Sequence, residues 1–165
     1  MPHVMLICTA NICRSPLAEA LLRQKLIAQS DSTDWTVDSA GTWATLERGA
    51  ARFTIQMAQE RGLDLSNHRA RMLDAQMLNK ADLVLCMTAS HVEAICLEFP
   101  EAKQKTYQLS EMIGRRFDVP DPYGGGLAEY QQMAEDVTRL LDAGLPRIVE
   151  LARRNYQLRQ AIPAA

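Results

Sequence analysis

The sequence is poor in the residue patterns that hold structural metals. Its four cysteines include no Cys-x2-Cys pair, and its three histidines, at positions 3, 68 and 91, do not follow the spacing of zinc ligands. We therefore expect no metal site and no cofactor.

The sequence also lacks a long apolar run and a positively charged N-terminal segment. Its first apolar stretch ends after about five residues, which is too short for a signal peptide or a membrane span. The net charge is −2, and the 18 basic residues are scattered rather than clustered. We expect a cytoplasmic protein with no nucleic-acid partner and no membrane partner.

No internal repeat, low-complexity stretch or linker divides the chain. A length of 165 residues, of which 47% are apolar, is enough to bury one substantial core but not two. We expect a single domain over residues 1–165, and a monomer.

Predicted strands alternate with predicted helices along the whole chain. The strands cover 4–8, 35–39, 82–87 and 105–108. The helices cover 16–29, 49–61, 74–80 and 89–98, and a long last one starts near 127. This alternation predicts a three-layer α/β fold, in which helices flank a central parallel sheet of four strands. Gly144–Pro146 predicts a kink or a break in the last helix, and residues 160–165 are expected to fray.

The most informative segment runs from Cys8 to Ser15, between the first predicted strand and the helix that Pro16 favours. A loop in this place ends on a helix N-terminus, where free backbone N–H groups and the helix dipole favour a phosphate dianion and a thiolate. Arg14 adds a planar donor that matches two phosphate oxygens. The segment predicts a phosphate-binding loop with a nucleophile inside it. The alternative is that Cys8 is a buried thiol at a strand end.

A second segment, Phe117–Tyr123, supplies a carboxyl group in a loop stiffened by Pro120 and Pro122. With it, the chain resembles the low-molecular-weight protein tyrosine phosphatases over nearly its whole length. The motifs that carry the resemblance are Cys-x5-Arg-Ser-Pro from Cys8, Val37–Thr42, His68–Arg71, Ala81–Met87 and Asp121–Tyr123.

The resemblance implies three catalytic residues. Cys8 attacks phosphorus as a thiolate, Arg14 and the loop amides stabilise the charge on the equatorial oxygens, and Asp121 is the general acid and base. Without the resemblance, Asp121-Pro122 would be a simple turn.

Further residues are expected to bind substrate or to support the loop. The substrate-binding residues are Thr9, Ala10, Asn11, Ile12, Cys13, Ser15, Trp43 and Tyr123. Ser15 can donate a hydrogen bond to the Cys8 sulfur, and a helix-capping role is its alternative. Asn11 is expected to adopt a left-handed backbone, and the resemblance ties its side chain to Ser39 and His68 as loop supports. An ordinary surface or core histidine is the alternative for His68.

The resemblance also suggests that Cys13 forms a reversible disulfide with Cys8 on oxidation, and plain packing of Cys13 is the alternative.

Ile12 matches the apolar residue of the tyrosine phosphatases, and Tyr123 and Trp43 can stack on an aromatic ring. We therefore expect a phosphotyrosine-containing protein or a small aryl phosphate as substrate.

Three positions depart from the family pattern: Ala10 replaces a common glycine, Thr88 replaces a common aspartate, and Gly124–Gly126 replaces a second aromatic. The glycines allow either a mobile acid loop or a simple turn.

Three other functions remain open. A protein-arginine phosphatase shares every catalytic part. An arsenate reductase on the same fold needs a relay of two more cysteines, but Cys86 and Cys96 are ten positions apart and Cys86 falls in a predicted strand. A non-catalytic phosphoprotein-binding module would have no use for both a thiol and a proton donor.

Overall fold

The computed structural model describes residues 1–29 and 34–161. Its strands are β1 (His3–Cys8), β2 (Thr36–Gly41), β3 (Leu83–Cys86) and β4 (Thr106–Gln108). Its α-helices are α1 (Arg14–Gln29), α2 (Arg52–Gln59), α3 (Ala75–Lys80), α4 (Ala89–Glu98) and α5 (Leu127–Ala161). Two 3-10 helices, Pro100–Lys105 and Leu109–Ile113, flank β4.

The described strands form one parallel sheet in the order β2-β1-β3-β4. This confirms the predicted α/β fold with four parallel strands. All six residues of β1 are buried, as expected for a central strand covered on both faces. Alternate residues point to opposite faces: Val4 and Leu6 join the apolar core that includes residues of α1 and α5, whereas Met5 and Ile7 join a smaller core with Leu78 and Ile95.

The end of β1 lies in the middle of the carboxyl edge of the sheet, and the chain passes from Cys8 through a short loop into α1. The helix begins at Arg14, two residues before the predicted start, and keeps Pro16 in its first turn. The end of β2 supports the loop, because Thr42 N–H donates to the Cys8 carbonyl at 3.0 Å and Trp43 N–H donates to the Thr9 carbonyl at 2.9 Å. Open α/β sheets bind ligands at this kind of position.

Helix α2 is shorter than the predicted 49–61. Ala51 is extended, with φ −60° and ψ 144°, and its N–H donates to the Ile12 carbonyl at 2.8 Å. The chain before Arg52 therefore supports the phosphate-loop candidate instead of forming another helical turn.

A kink or a break was predicted at Gly144–Pro146. The break is wrong, because α5 runs uninterrupted from Leu127 to Ala161 with Pro146 inside it, and the kink stays a prediction. Gly144 packs against the 3-10 helix Leu109–Ile113, where an added Cβ would lie 2.7 Å from the Met112 Cβ. The glycine therefore permits close packing. Of the tail that was expected to fray, residues 160 and 161 are helical and 162–165 lie outside the described residues.

The far end of α5 is held at the amino edge of the sheet by Asp82. The Asp82 carboxylate is buried and accepts hydrogen bonds from Arg159 Nε at 2.8 Å and Nη2 at 3.0 Å, and from the His3 N–H at 2.9 Å. Over the described ranges, no helix is both long enough and apolar enough to cross a membrane.

Candidate active site

The loop after β1 forms the floor of a cavity of about 260 Å³ at the carboxyl edge of the sheet. Cys8, Thr9, Ala10, Ile12, Cys13 and Arg14 line it from the loop, and Trp43, Asp121 and Tyr123 line it from other segments. Two predicted substrate-binding residues, Asn11 and Ser15, are not in this lining. Their side chains lie behind the loop.

The Cys8 sulfur is buried and lies 3.0 Å from the Ser15 hydroxyl oxygen. Asn11 Nδ2 donates to that same hydroxyl oxygen at 2.9 Å, so the Ser15 proton is free to point at the sulfur. A hydrogen bond donated to sulfur stabilises the thiolate relative to the thiol.

Asn11 has the expected left-handed backbone, with φ 56°, and is fully buried. Its Nδ2 also donates to the Ser39 hydroxyl at 2.9 Å, and its Oδ1 accepts from the Arg71 N–H at 2.9 Å. Every polar atom of this amide has a partner, which fixes the shape of the loop.

His68 contacts the loop in a different way from the one the resemblance implied. Its Nε2 lies 2.7 Å from the main-chain carbonyl oxygen of Asn11, rather than from the asparagine side chain. A carbonyl oxygen only accepts, so the ring nitrogen carries the proton and donates it.

Arg14 is 2% exposed and uses its terminal nitrogens on three partners. Its Nη1 donates to the Val119 carbonyl at 2.9 Å, and its Nη2 contacts Thr9 Oγ1 at 3.4 Å and Asp121 Oδ2 at 3.3 Å. Its Nε is buried and has no hydrogen-bond partner among the described residues. A buried donor without an acceptor is costly, so an acceptor at this position would be stabilised.

Asp121 lies at the rim, with its side chain 47% exposed. Its second oxygen, Oδ1, accepts from the Tyr123 N–H at 3.2 Å. The loop that carries it is attached to the sheet, because Val119 N–H donates to the Met87 carbonyl at 2.9 Å and Asp118 accepts from the Ala89 N–H at 2.9 Å. The carboxyl group is thus held above the loop, beside Arg14.

The glycines after Tyr123 form a turn, and mobility of the acid loop, the other expected alternative, stays a prediction. Gly125 N–H donates to the Pro122 carbonyl at 2.9 Å, and Gly124 between them has φ +82°, which favours glycine. Gly126 N–H donates to Glu129 Oε2 at 2.8 Å, which joins the turn to α5.

The mouth of the cavity is aromatic. Trp43 is 80% exposed and Tyr123 is 60% exposed, and both line the cavity. Ile12 lines it as well, although most of its side chain packs into the core. Sequence reasoning missed Thr45 and Arg48, which also line the mouth; the Arg48 guanidinium lies 5.7 Å from the centre of the Tyr123 ring. No motif marks them, because only the fold brings their loop to the site.

Cys13 lies beneath the loop, 3.4 Å from the hydroxyl of Tyr130. Burial raises the pKa of the Cys13 thiol. Cys8 and Cys13 are both free thiols in this structure. The redox role of Cys13 stays a prediction.

His91 is a buried histidine that sequence reasoning missed. Its Nε2 lies 2.9 Å from Thr9 Oγ1 and its Nδ1 lies 2.9 Å from Thr88 Oγ1. Burial, assisted by the nearby Arg14 charge, lowers the pKa of His91 to about 4. Its position three residues after Thr88, which caps α4, was the only sequence feature that could have marked it.

Comparison with known proteins identifies the family of the chain. The family model described as low molecular weight phosphotyrosine protein phosphatase matches residues 3–155. The low molecular weight protein-tyrosine-phosphatase Ptp of Acinetobacter johnsonii is 36% identical over 140 residues, which are 84% of this chain and 89% of the relative. A protein-arginine-phosphatase of Geobacillus stearothermophilus is 34% identical over 144 residues, 86% of this chain and 93% of the relative.

Among solved structures, the low molecular weight protein tyrosine phosphatase from T. tengcongensis superposes with a TM-score of 0.83 at 36% identity. The match covers 89% of this chain and 99% of that chain. Sequence and fold therefore agree on the same group of proteins.

Proposed function

The chain belongs to the low molecular weight phosphotyrosine protein phosphatase family, and we propose that it hydrolyses phosphotyrosine through a phosphocysteine intermediate on Cys8. In this proposal Arg14 holds the phosphate, and Asp121 is first the general acid and then the general base. The family predicted from the sequence motifs is confirmed.

One observation carries the proposal. The buried Nε of Arg14 has no acceptor among the described residues, and Arg14 and Cys8 line the same cavity. A phosphate bound over the loop would supply the missing acceptor, and the N-terminus of α1 would stabilise its negative charge. The same arrangement places phosphorus next to the sulfur.

The first step forms a phosphorus–sulfur bond and breaks the phosphorus–oxygen bond of the ester. The Cys8 thiolate attacks in line with the leaving oxygen, while Arg14 and the loop amides stabilise the three equatorial oxygens. Asp121 gives its proton to the leaving phenolate. This carboxyl group is suitably placed because it lies at the rim, above the loop.

The second step returns the enzyme to its starting state. A water molecule attacks phosphorus, Asp121 takes a proton from that water, and the phosphorus–sulfur bond breaks to release phosphate. Ser15 assists because its hydroxyl, 3.0 Å from the sulfur, stabilises the departing thiolate.

The aromatic mouth supports phosphotyrosine as the substrate. Trp43 and Tyr123 offer exposed rings on which a phenyl leaving group can stack, and Ile12 adds an apolar wall. Phosphoarginine is the second candidate, because one of the matched relatives is a protein-arginine-phosphatase. An arsenate reductase has less support, because Cys86 is fully buried in β3 and cannot exchange with a partner without local opening.

We also propose that the protein acts as a monomer in the cytoplasm, without a nucleic-acid or membrane partner. A reducing compartment keeps the nucleophilic thiol free, and all four cysteines are free in this structure.

The test is a comparison of kcat/KM on phosphotyrosine, phosphoserine and phosphoarginine peptides of one sequence. We expect phosphotyrosine to lead, Cys8→Ser to lose turnover, and Cys96→Ser, a thiol outside the cavity lining, to keep it. Rapid quenching should leave phosphate on the peptide that contains Cys8. Full turnover by Cys8→Ser would contradict the proposed mechanism. A higher kcat/KM on the phosphoarginine peptide than on the phosphotyrosine peptide would contradict the proposed substrate.

A further inference from the structure

A row of side chains connects the floor of the cavity to the start of α4. Thr9 Oγ1 lies 2.9 Å from His91 Nε2, and His91 Nδ1 lies 2.9 Å from Thr88 Oγ1. Thr88 is the cap of α4, and its hydroxyl oxygen accepts from the His91 N–H at 3.3 Å. Because His91 is 6% exposed, these contacts replace water at both ring nitrogens.

The same Thr9 oxygen touches the phosphate-binding arginine. Arg14 Nη2 lies 3.4 Å from Thr9 Oγ1, and a guanidinium can only donate, so the hydroxyl oxygen accepts there. The single hydroxyl proton of Thr9 must then point to another acceptor. His91 Nε2 is that acceptor when the ring is neutral and carries its proton on Nδ1.

The surroundings of His91 favour a neutral ring. Burial and the Arg14 charge lower its pKa, whereas the Asp121 and Asp118 charges act in the opposite direction. Its Nδ1 partner, Thr88, is uncharged. A neutral imidazole donates from one nitrogen and accepts at the other, which matches hydroxyl groups on both sides.

We propose that His91 is a positioning residue for phosphate binding. Its Nδ1–H donates to Thr88, and its Nε2 accepts the hydroxyl proton of Thr9. A lone pair of the Thr9 oxygen then points at Arg14 and orients the guanidinium. This inference rests on the proposed function, because the oriented guanidinium is the phosphate ligand. In the opposite tautomer, His91 and Arg14 would both donate to the same Thr9 oxygen, and its proton would be left without a fixed direction.

Two substitutions of matched chemistry separate the two ends of the ring. The amide of His91→Gln reaches the position of Nε2 and can accept from Thr9, whereas the shorter amide of His91→Asn reaches only the position of Nδ1 and Thr88. We expect His91→Asn to lower kcat/KM about tenfold and to weaken inhibition by inorganic phosphate, and His91→Gln to stay within about twofold of the parent. Equal kcat/KM in His91→Asn and the parent, or an equal loss in both variants, would overturn the inference.

A double-substitution cycle tests whether His91 acts through Thr9. Thr9→Val removes the hydroxyl and keeps the shape, so adding His91→Asn to it should cause no further loss of kcat/KM. Additive losses would mean that His91 acts by another route. The melting temperature of each variant shows whether a loss of activity follows a loss of folding.

The tautomer itself can be read in the unmodified protein from the ¹⁵N chemical shifts of the histidine rings, assigned with His91→Gln. We expect a protonated Nδ1 and an unprotonated Nε2, unchanged from pH 8 to about 5. A protonated Nε2 would overturn the inference even if the variants did not fold. This measurement needs no turnover, so it also separates failure of the inference from failure of the proposed function, which the Cys8→Ser assay decides.

Discussion

Arg14 and Asp121 form an ion pair across the mouth of the loop, with 3.3 Å between Nη2 and Oδ2. The arginine side chain is 2% exposed and the carboxylate is 47% exposed, so one partner is fixed and the other borders solvent. A bound phosphate would compete with this carboxylate for the guanidinium.

Asp121→Asn should separate acid catalysis from phosphate binding. Without the carboxyl group, kcat on phosphotyrosine peptides should fall by about 10²–10⁴-fold, because the phenolate leaves without a proton. The loss should be smaller for p-nitrophenyl phosphate, whose leaving group needs less help. A plot of kcat against leaving-group pKa checks this. The same loss for every leaving group would show that Asp121 is not the acid.

Ser15→Ala should slow the second step. The hydroxyl is 3.0 Å from the Cys8 sulfur, so without it the departing sulfur loses a hydrogen bond, and the burst of phenol should rise relative to steady turnover. Ser66→Ala, an exposed residue outside the cavity lining, is the control. An unchanged burst in Ser15→Ala would contradict the assigned hydrogen bond.

Two substitutions of Asn11 should differ in their cost. Asn11→Gly loses the amide hydrogen bonds but tolerates φ 56°, whereas Asn11→Ala loses the bonds and adds backbone strain. We expect Gly to lower the free energy of unfolding by about 2–4 kcal/mol and Ala by about 1 kcal/mol more. Urea unfolding measures both. A more stable Ala variant would mean that the left-handed backbone does not persist.

Gly41→Ala should lower activity although Gly41 is not in the cavity lining, because it displaces the phosphate-binding loop. An added Cβ would lie 2.3 Å from the Thr9 carbonyl oxygen, so the strand end and the loop cannot keep their positions. We expect a loss of kcat/KM of at least about tenfold, together with a lower melting temperature. Gly49→Ala is the matched control, because nothing lies within 4 Å of its added Cβ. Equal activity of the two variants would contradict this packing.

Acid should destabilise the fold in two separate ranges of pH. The pKa of His91 is lowered from 6.5 to about 4 by burial and by Arg14, with Asp121 and Asp118 opposing. The unfolded chain therefore binds a proton that the folded chain refuses, and the free energy of unfolding falls by up to about 3 kcal/mol as the pH drops from 6.5 to 4.

Below this range Asp38 contributes, because the close contact with His3, whose Nε2 lies 2.9 Å from Asp38 Oδ2, and the nearby Arg71 lower the pKa of Asp38 from 3.8 to about 2. Its contribution is present above pH 3.8 and is lost as the pH falls toward 2. Urea unfolding at a series of pH values should show that His91→Gln lacks the first loss and keeps the second. Parallel curves for the parent and the variant between pH 6.5 and 4 would show that His91 is not buried as described.

The sequence was sufficient for the sheet and for the loop, because both are local patterns. The apolar strands alternate with helices, and the segment from Cys8 to Pro16 carries its chemistry within one stretch of chain. The contacts that orient the loop come from distant segments of the chain, and no spacing of residues in the sequence predicts them. Thr9 and His91 are 82 positions apart, and His68 reaches a main-chain oxygen that no side-chain motif encodes.

Gly144 shows the same limit from the other direction. The residue and the following Pro146 have poor helix propensity, so local rules predicted an interruption. The helix is nevertheless continuous, and Gly144 packs on Met112, where only a residue without a Cβ allows α5 to approach so closely. Tertiary packing overrides propensity here, and a single sequence does not reveal which glycine has that purpose.

The clamp at Asp82 has a practical consequence for handling the protein. Through the backbone of His3 and the guanidinium of Arg159, it anchors residues near both ends of the described chain at one edge of the sheet. Cys8 lies at the opposite edge, one strand length or about 17 Å away. An affinity tag, a fluorophore or a surface linker fused before His3 would therefore emerge on the side facing away from an incoming phosphoprotein, and immobilised enzyme should remain open to it.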